Sequence, residues 1–357
     1  MPKLLIVIFL FSFQFVSSQI RVYSNEFLSV GVGARALSMS NSVIASTNGS
    51  ESSYWNPSAL AYQKNKYEIS GMHSEYFAGI AKFDYLGGSY KVNDSTTFGA
   101  TILRFGIDDI PNTLKLIDVN GNIDYDRIKR FSVADYAFIF SYAKKSKIQG
   151  LSYGANAKII YRNLAEFANA FGFGFDVSAN YKKDKWQYGV NLKDVTSTFN
   201  AWFYNTESIE DVYLTTGNDI PENSVEITMP KLLLGAARNF KINEKYNLLT
   251  EIGADFSFDG KKHVLLSSKY ASIDPHAGLE LAYKNFIFLR GGIGNFAIIQ
   301  DFDKEILNLQ PSIGLGVNIL NFKLNYALTD IGDQSIALYS NVFSLSYGLN
   351  KISKINK

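Results

Sequence analysis

Runs of alternating apolar and polar residues recur from Tyr67 to the C-terminus, and they constrain the fold of this 357-residue chain more than any other feature. In the run from Leu151 to Tyr161, every second residue is apolar or aromatic, and mainly Gly, Ser, Asn and Lys stand between them. Successive residues of a β-strand point to opposite faces, so each run predicts a strand with one apolar and one polar face. The chain is therefore expected to be all-β.

The length of these runs favours a transmembrane β-barrel over a soluble β-fold, which would show the same alternation. Many runs reach about ten residues, the length that a tilted strand needs to cross a bilayer. Aromatic residues such as Tyr246 and Phe256 mark their ends, as in the aromatic girdles of outer-membrane barrels, and short connections alternate with long ones. Bacterial barrels have even strand numbers, so we predict about 14 antiparallel strands over residues 67–350.

The N-terminus predicts export to the cell outer membrane. Met1-Pro2-Lys3 is a short basic start, Leu4–Val16 is apolar, and Ser17-Ser18 supplies small residues at a cleavage point. This pattern predicts a signal peptide over residues 1–18. A membrane anchor is the alternative, but it needs a run of about 18 apolar residues or more. At the other end, residues 351–357 form a basic C-terminal tail.

The composition argues against most enzymes and against nucleic-acid binding. Cysteine is absent, which excludes disulfides, thiolate catalysis and Cys-zinc sites. The net charge of +2 supplies no field that would attract nucleic acid. The three histidines, His73, His263 and His276, lack metal-ligand spacing, and no catalytic triad or phosphate loop stands out. We therefore expect no catalytic residues, no metal and no cofactor.

The segment 19–66 lacks strand alternation and is predicted to be an N-terminal plug. Inward-facing residues of the predicted strands are mostly small, and a barrel of this size has an interior that needs filling. Gly31 and Gly33 would allow close backbone approach or positive φ. The GVGARA sequence there lacks the strand and helix that a dinucleotide fingerprint requires. Nucleotide binding is therefore rejected.

Arg35 is the sole charged residue between Glu26 and Glu51, and inside a barrel it would need a partner. Inward-facing Glu251 or Glu280 could serve, so a structural role is favoured over a ligand-binding one.

The segment closes on Trp55-Asn56-Pro57, where the proline fixes φ and forces the preceding residue towards an extended shape. We expect an architectural turn, either within the plug or directly before the first strand.

Two parts of this segment, Phe27–Leu37 with its GVGAR core and Ser53–Leu60 with Trp55-Asn56-Pro57, resemble the N-terminal signature of the PorV/PorQ family. These are outer-membrane proteins of the Bacteroidetes type IX secretion system, related to the FadL channels. Ser58 replaces the alanine that usually follows Asn-Pro in FadL-type proteins. The resemblance implies a FadL-like barrel of 14 strands with an N-terminal plug. Such a barrel is embedded in the outer membrane and contacts its lipid.

For function, the resemblance implies a PorV-like carrier in protein secretion. Such a protein binds secreted cargo through the C-terminal β-domain of the cargo, docks on the type IX translocon barrel, and passes cargo to a surface attachment partner. The alternatives are a FadL-like outer-membrane channel for hydrophobic small molecules and a structural barrel within a larger membrane complex. An apolar pocket leading into the lumen would favour the channel, whereas a filled lumen and exposed apolar loops would favour the carrier.

The predicted long connection 196–226 is the candidate partner-binding loop. No Lys or Arg occurs between Lys193 and Lys231, and aromatic residues accompany the acidic ones. Such a mixture can provide an anchor with an electrostatic rim, and the alternative is a solvated loop over the barrel mouth. The candidate residues are Trp202, Phe203, Tyr204, Glu207, Glu210, Asp211 and Tyr213.

Overall fold

The computed structural model describes residues 24–117, 121–208, 210–301, 304–329 and 339–350. The predicted signal peptide (1–18), the first residues of the predicted plug (19–23), the predicted connection 331–338 and the basic tail (351–357) lie outside these described residues.

The alternating runs form strands, as predicted, and all the strands join one antiparallel sheet. Their bounds are β1 Tyr67–Tyr76, β2 Ala81–Lys91, β3 Thr96–Asn112, β4 Lys129–Lys145, β5 Leu151–Leu164, β6 Ala168–Lys183, β7 Trp186–Lys193, β8 Thr198–Tyr204, β9 Ser224–Thr228, β10 Lys231–Lys241, β11 Tyr246–Ser257, β12 Leu266–Ser267, β13 Ser272–Tyr283, β14 Ile287–Asp301, β15 Lys304–Ile319, β16 Phe322–Thr329 and β17 Ser340–Leu349.

The sheet closes on itself because β1 pairs with β2 on one edge and with β17 on the other. Strands β7 and β8 are two halves of one stave, since both pair with β6. Strand β9 pairs with β8 and strand β10 pairs with β7, so β9 and β10 are also two halves of one stave. Counting each pair as one stave and leaving out the two-residue β12, the described strands form a closed barrel of 14 staves. The prediction of 14 antiparallel strands is confirmed, and closure leaves no exposed sheet edge.

The wall has an apolar outer face and a polar inner face. On β6, Phe171, Phe173 and Phe175 point outward, and Phe173 is 57% exposed. Their neighbours Asp176 and Asn180 point inward and are buried. Stacked or tilted aromatic pairs lie on the outer face near the short-turn end: Tyr67 with Tyr90, Tyr246 with Tyr283, and Phe322 with Tyr347. This arrangement is typical of barrels whose outer face meets lipid.

All six short connections that the sequence predicted lie at one end of the barrel, which we call the short-turn end; they occupy residues 92–95, 146–150, 184–185, 242–245, 284–286 and 320–321. The opposite end carries longer connections at 113–128, 205–223 and 258–271. Two connections predicted to be long are short, because strand pairing continues to Leu164 opposite Ala168 and to Asp301 opposite Lys304.

Two neighbouring staves are interrupted at the same level. Residues 194–197 separate β7 from β8, and Met229-Pro230 separates β9 from β10. The interruption in the first stave turns inward, because the Asp194 N–H donates to Asp176 Oδ1 over 2.9 Å. Proline has no N–H for a ladder hydrogen bond, which explains why pairing stops at the second break.

The N-terminal segment, residues 24–66, contains only short helical turns: α-helices at Ala34–Leu37 and Ser52–Trp55, and 3-10 helices at Glu26–Ser29 and Pro57–Tyr62. Outside it lie 3-10 helices at Tyr125–Arg127 and Thr206–Ser208 and an α-helix at Glu210–Thr216. No helix in the described ranges is long and apolar enough to span a membrane.

Candidate functional site: the N-terminal segment and the cavity beside it

The N-terminal segment lies within the barrel and packs against inward-facing wall residues. Glycines in the wall make room for it. A Cβ atom at Gly154 would overlap the backbone of Pro57 and Ser58, and one at Gly189 would overlap the backbone of Ile44. The expectation that small inward residues accommodate an inserted segment therefore matches the geometry.

Gly31 and Gly33 both have positive φ, +96° and +85°, which a residue with a side chain rarely adopts. Gly33 also lies against the Glu51 carboxylate, where a Cβ atom would clash. Arg35 forms an ion pair with Glu280, one of its two expected partners, with Nε 2.9 Å from Oε2. Its guanidinium also donates to Ser46 Oγ over 3.2 Å. These residues thus fix the path of the segment.

Trp55, Asn56 and Pro57 hold the segment together. The Trp55 indole N–H donates to the Val32 carbonyl over 2.8 Å, and the Asn56 amide donates to the Ile44 carbonyl over 2.8 Å. Pro57 is the first residue of the 3-10 helix Pro57–Tyr62, where its fixed φ suits a helix start. All three residues are buried.

Three wall carboxylates bind the segment from different strands. Glu251 accepts the backbone N–H groups of Ala45 and Ser46 over 2.7 and 3.1 Å. Glu68 accepts the Ser50 N–H over 3.2 Å, and Glu280 binds Arg35. Hydrogen bonds to an ionised acceptor are about twice as strong as neutral ones. The sequence identified Glu251 and Glu280 as inward-facing carboxylates, but it gave no sign that Glu251 and Glu68 bind backbone.

A cavity of about 500 Å³ lies between the N-terminal segment and the end with long connections. Aliphatic and aromatic residues line part of it, among them Leu28, Leu37, Tyr54, Trp55, Leu233 and Phe256. Polar and charged residues line the rest, among them Asn41, Lys158, Lys193, Asp255, Asp274, His276 and Gln310. The cavity can therefore hold a small molecule that combines an apolar part with polar groups.

Charged groups at the edge of the cavity differ in how they are paired. Lys158 is buried and binds Asp176 over 2.7 Å and Asp194 over 2.5 Å. Lys193 has no ion pair within the described residues, and its ammonium lies 4.0 Å from the Tyr54 ring centroid. A cation over an aromatic face is attracted by the ring quadrupole. The contact between Asp194 and Lys158 has no signal in the sequence, because it depends on the inward turn between β7 and β8.

His276 and Asp274 are two of the polar residues that line the cavity. A ring nitrogen of His276 lies 2.8 Å from Ser42 Oγ, and the other lies 3.3 Å from Asp255 Oδ1. One oxygen of Asp274 is buried and has no hydrogen-bond partner in the described part of the chain. Within the same ranges, no group of three or more His, Asp and Glu side chains is arranged to hold a metal ion.

The candidate partner-binding residues do not form a single loop. Trp202, Phe203 and Tyr204 belong to β8, because backbone pairing with β6 extends to Tyr204 opposite Ala168. Trp202 points inward and is 5% exposed, and the Arg162 guanidinium lies 4.9 Å from its ring centroid. Phe203 points outward and is 50% exposed. The prediction of a loop beginning at Thr196 is therefore wrong for these three residues.

The true connection runs over residues 205–223. Glu207 lies in the 3-10 turn Thr206–Ser208, and the α-helix Glu210–Thr216 contains Asp211 and Tyr213. Leu214 of this helix is 65% exposed. The connection thus keeps acidic and apolar residues at the end of the barrel opposite the short turns.

The fold and the cavity define the class of structure: a closed, FadL-like antiparallel β-barrel of 14 staves. Among solved structures, the chain is similar to the Pseudomonas putida toluene transporter TodX, with a TM-score of 0.55 and 14% sequence identity over 92% of this chain and 100% of that one. It is also similar to the CymD monoaromatic hydrocarbon channel, with a TM-score of 0.54 and 12% identity over 90% and 98% of the two chains.

A Pseudomonas aeruginosa FadL homologue matches with a TM-score of 0.50 and 10% identity, covering 89% of this chain and 98% of that one. At such identities the likeness shows the fold alone. No family model and no curated protein sequence matches the chain.

Proposed function

We propose that this protein is an outer-membrane channel that admits a hydrophobic small molecule from the end with long connections. The observation that carries the proposal is the cavity of about 500 Å³, lined in part by aromatic and aliphatic side chains, inside a FadL-like barrel. Its volume falls within the 300–1,000 Å³ that is typical of pockets for small molecules. The apolar outer face, with its aromatic pairs, supports a location in a lipid bilayer.

The similar structures support the same ligand class. TodX is described as a toluene transporter and CymD as a monoaromatic hydrocarbon channel. Trp55 and Tyr54 offer aromatic surface of the kind that such a ligand would pack against, and Leu233 of the wall lines the same cavity. These three side chains form the proposed contact surface for the apolar part of the ligand.

In this proposal the N-terminal segment is the plug. It lies between the cavity and the short-turn end, and its contacts with Glu251, Glu280 and Glu68 hold it to the wall. Passage through the barrel requires part of the segment to move. The cavity would then be the entry site, and the segment would govern release.

The test is to fill the cavity with a larger side chain and to measure uptake. Leu233→Trp adds bulk at a buried cavity residue, whereas Leu289→Trp adds the same bulk on the outer face of β14. Both variants are expressed in the outer membrane of a host without such a channel, and uptake of radiolabelled toluene and palmitate is measured. We expect uptake with the wild-type protein and Leu289→Trp, and at least a tenfold loss with Leu233→Trp. Equal uptake with Leu233→Trp, or none with the wild-type protein, would contradict the proposal.

A second candidate is the PorV-like carrier that the N-terminal signature implies. Its support is the exposed apolar surface of Phe203 and Leu214, which lies beside acidic Glu207 and Glu210 at one end of the barrel. Deleting residues 205–219 should leave the barrel folded and remove co-purifying translocon and cargo proteins. An unchanged set of co-purifying proteins would contradict the carrier.

A further inference from the structure

A cluster of lysines surrounds Tyr62 at the short-turn end. Tyr62 ends the 3-10 helix Pro57–Tyr62, and two lysines from different strands stand over its ring. The Lys182 ammonium lies 4.4 Å from the ring centroid, and the Lys145 ammonium lies 5.6 Å from it. Lys182 of β6 and Lys145 of β4 occupy inward-facing positions of their strands. Lys64 lies two residues after Tyr62 in the chain and is exposed.

These three lysines lack carboxylate partners. None of Lys64, Lys145 and Lys182 forms an ion pair within the described ranges, whereas three other lysines at this end do. Lys91 binds Asp94 over 3.0 Å, Lys241 binds Glu244 over 2.6 Å, and Lys323 lies 3.7 Å from Glu68. Asp94 lies in the turn 92–95 at the same end, but its ion pair is with Lys91.

The cluster is electrostatically costly as it stands. The Lys145 and Lys182 ammonium groups both lie close to the centroid of the Tyr62 ring, so at most about 10 Å separates them. This distance is about one Debye length at 0.1 M salt. Like charges at this separation repel each other. Contact with an aromatic ring attracts each cation, but it leaves the repulsion between the two unchanged.

The backbone holds the cluster in place. The Tyr62 hydroxyl donates to the Gly150 carbonyl over 2.5 Å, and the Lys182 N–H donates to the same carbonyl over 2.8 Å. Gly150 has a φ of +83°, and a Cβ atom there would overlap the Lys182 carbonyl. The Lys145 N–H donates to the Ser95 carbonyl over 2.8 Å. The ring and the backbone of both lysines are therefore fixed, and only the flexible lysine ends need to order when a ligand binds.

We propose that Lys145 and Lys182, which stand over Tyr62 at the short-turn mouth of the barrel, form a binding site for a phosphate group together with Lys64, two residues after Tyr62. Three lysines with no carboxylate partner match the multiple negative charges of a phosphate, and lysine binds phosphate as a flexible point charge. None of the four residues lines the cavity described above, so the site is independent of the proposed channel function. The phosphate group belongs either to a soluble molecule or to a lipid headgroup.

The test compares two variants that remove equal charge. Lys145→Gln/Lys182→Gln removes the two lysines that stand over Tyr62, and Lys147→Gln/Lys183→Gln removes two exposed lysines close by in sequence. Purified protein in maltoside detergent is titrated with pyrophosphate by calorimetry. In a second arm, native mass spectrometry counts phosphatidylglycerol bound from nanodiscs, with phosphatidylcholine as the neutral-headgroup reference.

We expect the wild-type protein and the Lys147/Lys183 variant to bind equally in one arm, and the Lys145/Lys182 variant to bind at least tenfold more weakly. Saturable pyrophosphate binding identifies a soluble phosphate, and selective phosphatidylglycerol binding identifies a lipid headgroup. Lys64→Gln changes an exposed residue that does not support the fold, and it should weaken binding about threefold. Absence of binding in both arms, or equal loss in the two double variants, would overturn the proposal.

Discussion

Arg35 of the N-terminal segment and Glu280 of β13 form an ion pair inside the barrel, with 2.9 Å between Nε and Oε2. The same Glu280 oxygen lies 2.6 Å from Nε of Arg290 on the neighbouring strand β14. One carboxylate therefore connects the segment to two staves of the wall. The side chains of Arg35 and Glu280 are only 14% and 12% exposed, so water screens the pair weakly.

Removing the charge of Glu280 should release the segment. In Glu280→Gln, Arg35 and Arg290 stay buried without their carboxylate, which costs about 3 kcal/mol. Arg35 is the single Lys or Arg between Arg21 and Lys64, so trypsin cleavage there reports exposure of the segment. We expect cleavage to rise by about two orders of magnitude. Glu244→Gln removes an exposed ion pair with Lys241 and should leave cleavage unchanged; equal cleavage in both variants would contradict this role of Glu280.

A methyl group added to the wall should displace the Asn56-Pro57-Ser58 turn. Gly154→Ala places a Cβ atom against the backbone of Pro57 and Ser58, which cannot rotate away. We expect a loss of about 1–3 kcal/mol, as for overpacked cores, and faster tryptic cleavage at Arg35. Gly88→Ala is the matched control, because nothing lies within 4 Å of its added methyl group. If both variants melt and cleave like the wild-type protein, the turn is not packed against Gly154.

Glu51 should make the hold on the segment depend on pH. Burial raises the pKa of its carboxyl from 4.5 to about 7, although the charges of Lys323, Arg35 and Arg290 oppose this shift and Glu68 adds to it. A carboxyl whose pKa is raised on folding binds more protons in the folded state between pH 4.5 and 7, so its contribution to stability falls as the pH rises through this window.

The midpoint of thermal unfolding is measured for the wild-type protein and for Glu51→Gln from pH 4.5 to 8. The wild-type protein should lose up to about 3 kcal/mol relative to the variant across this range. Parallel pH curves for the two proteins would show that Glu51 is not held in a buried position.

Lys158 should be essential to the interrupted stave between β7 and β8. Lys158→Met leaves Asp176 and Asp194 buried together without their cation, at a cost of about 3–5 kcal/mol. We expect a lower midpoint of heat-induced unfolding on semi-native gels. Lys147→Met replaces an exposed lysine and should leave the midpoint unchanged. A midpoint for Lys158→Met equal to that of the control would mean that the three charges do not support the stave.

The barrel was predictable because alternation within a strand is a local property of the sequence. Phe171, Phe173 and Phe175 reveal their common face without any knowledge of their neighbours. The break between β7 and β8 was not predictable in this way. It places Asp194 next to Lys158, 36 residues earlier, and nothing local marks that contact. The assignment of Trp202 to a loop failed for the same reason, since pairing with β6 decides the end of β8.

The candidate site was likewise predictable only in part from the sequence. A partner for Arg35 was predictable because a buried charge needs one, and strand alternation indicates which carboxylates face inward. The cavity was not, because Tyr54, Leu233 and Phe256 come together only when the segment folds within the barrel. The lysines around Tyr62 are visible in the sequence as basic turns, but their shared contact with one ring requires the closed wall.

The central claim is that the cavity binds a hydrophobic small molecule, and native mass spectrometry of the protein purified gently from its outer membrane tests it most directly. We expect a bound apolar molecule in the wild-type protein and in Leu289→Trp, and its absence in Leu233→Trp. A barrel without any bound small molecule, recovered instead with a large translocon or with secreted proteins that share a C-terminal β-domain, would contradict the channel and support the carrier.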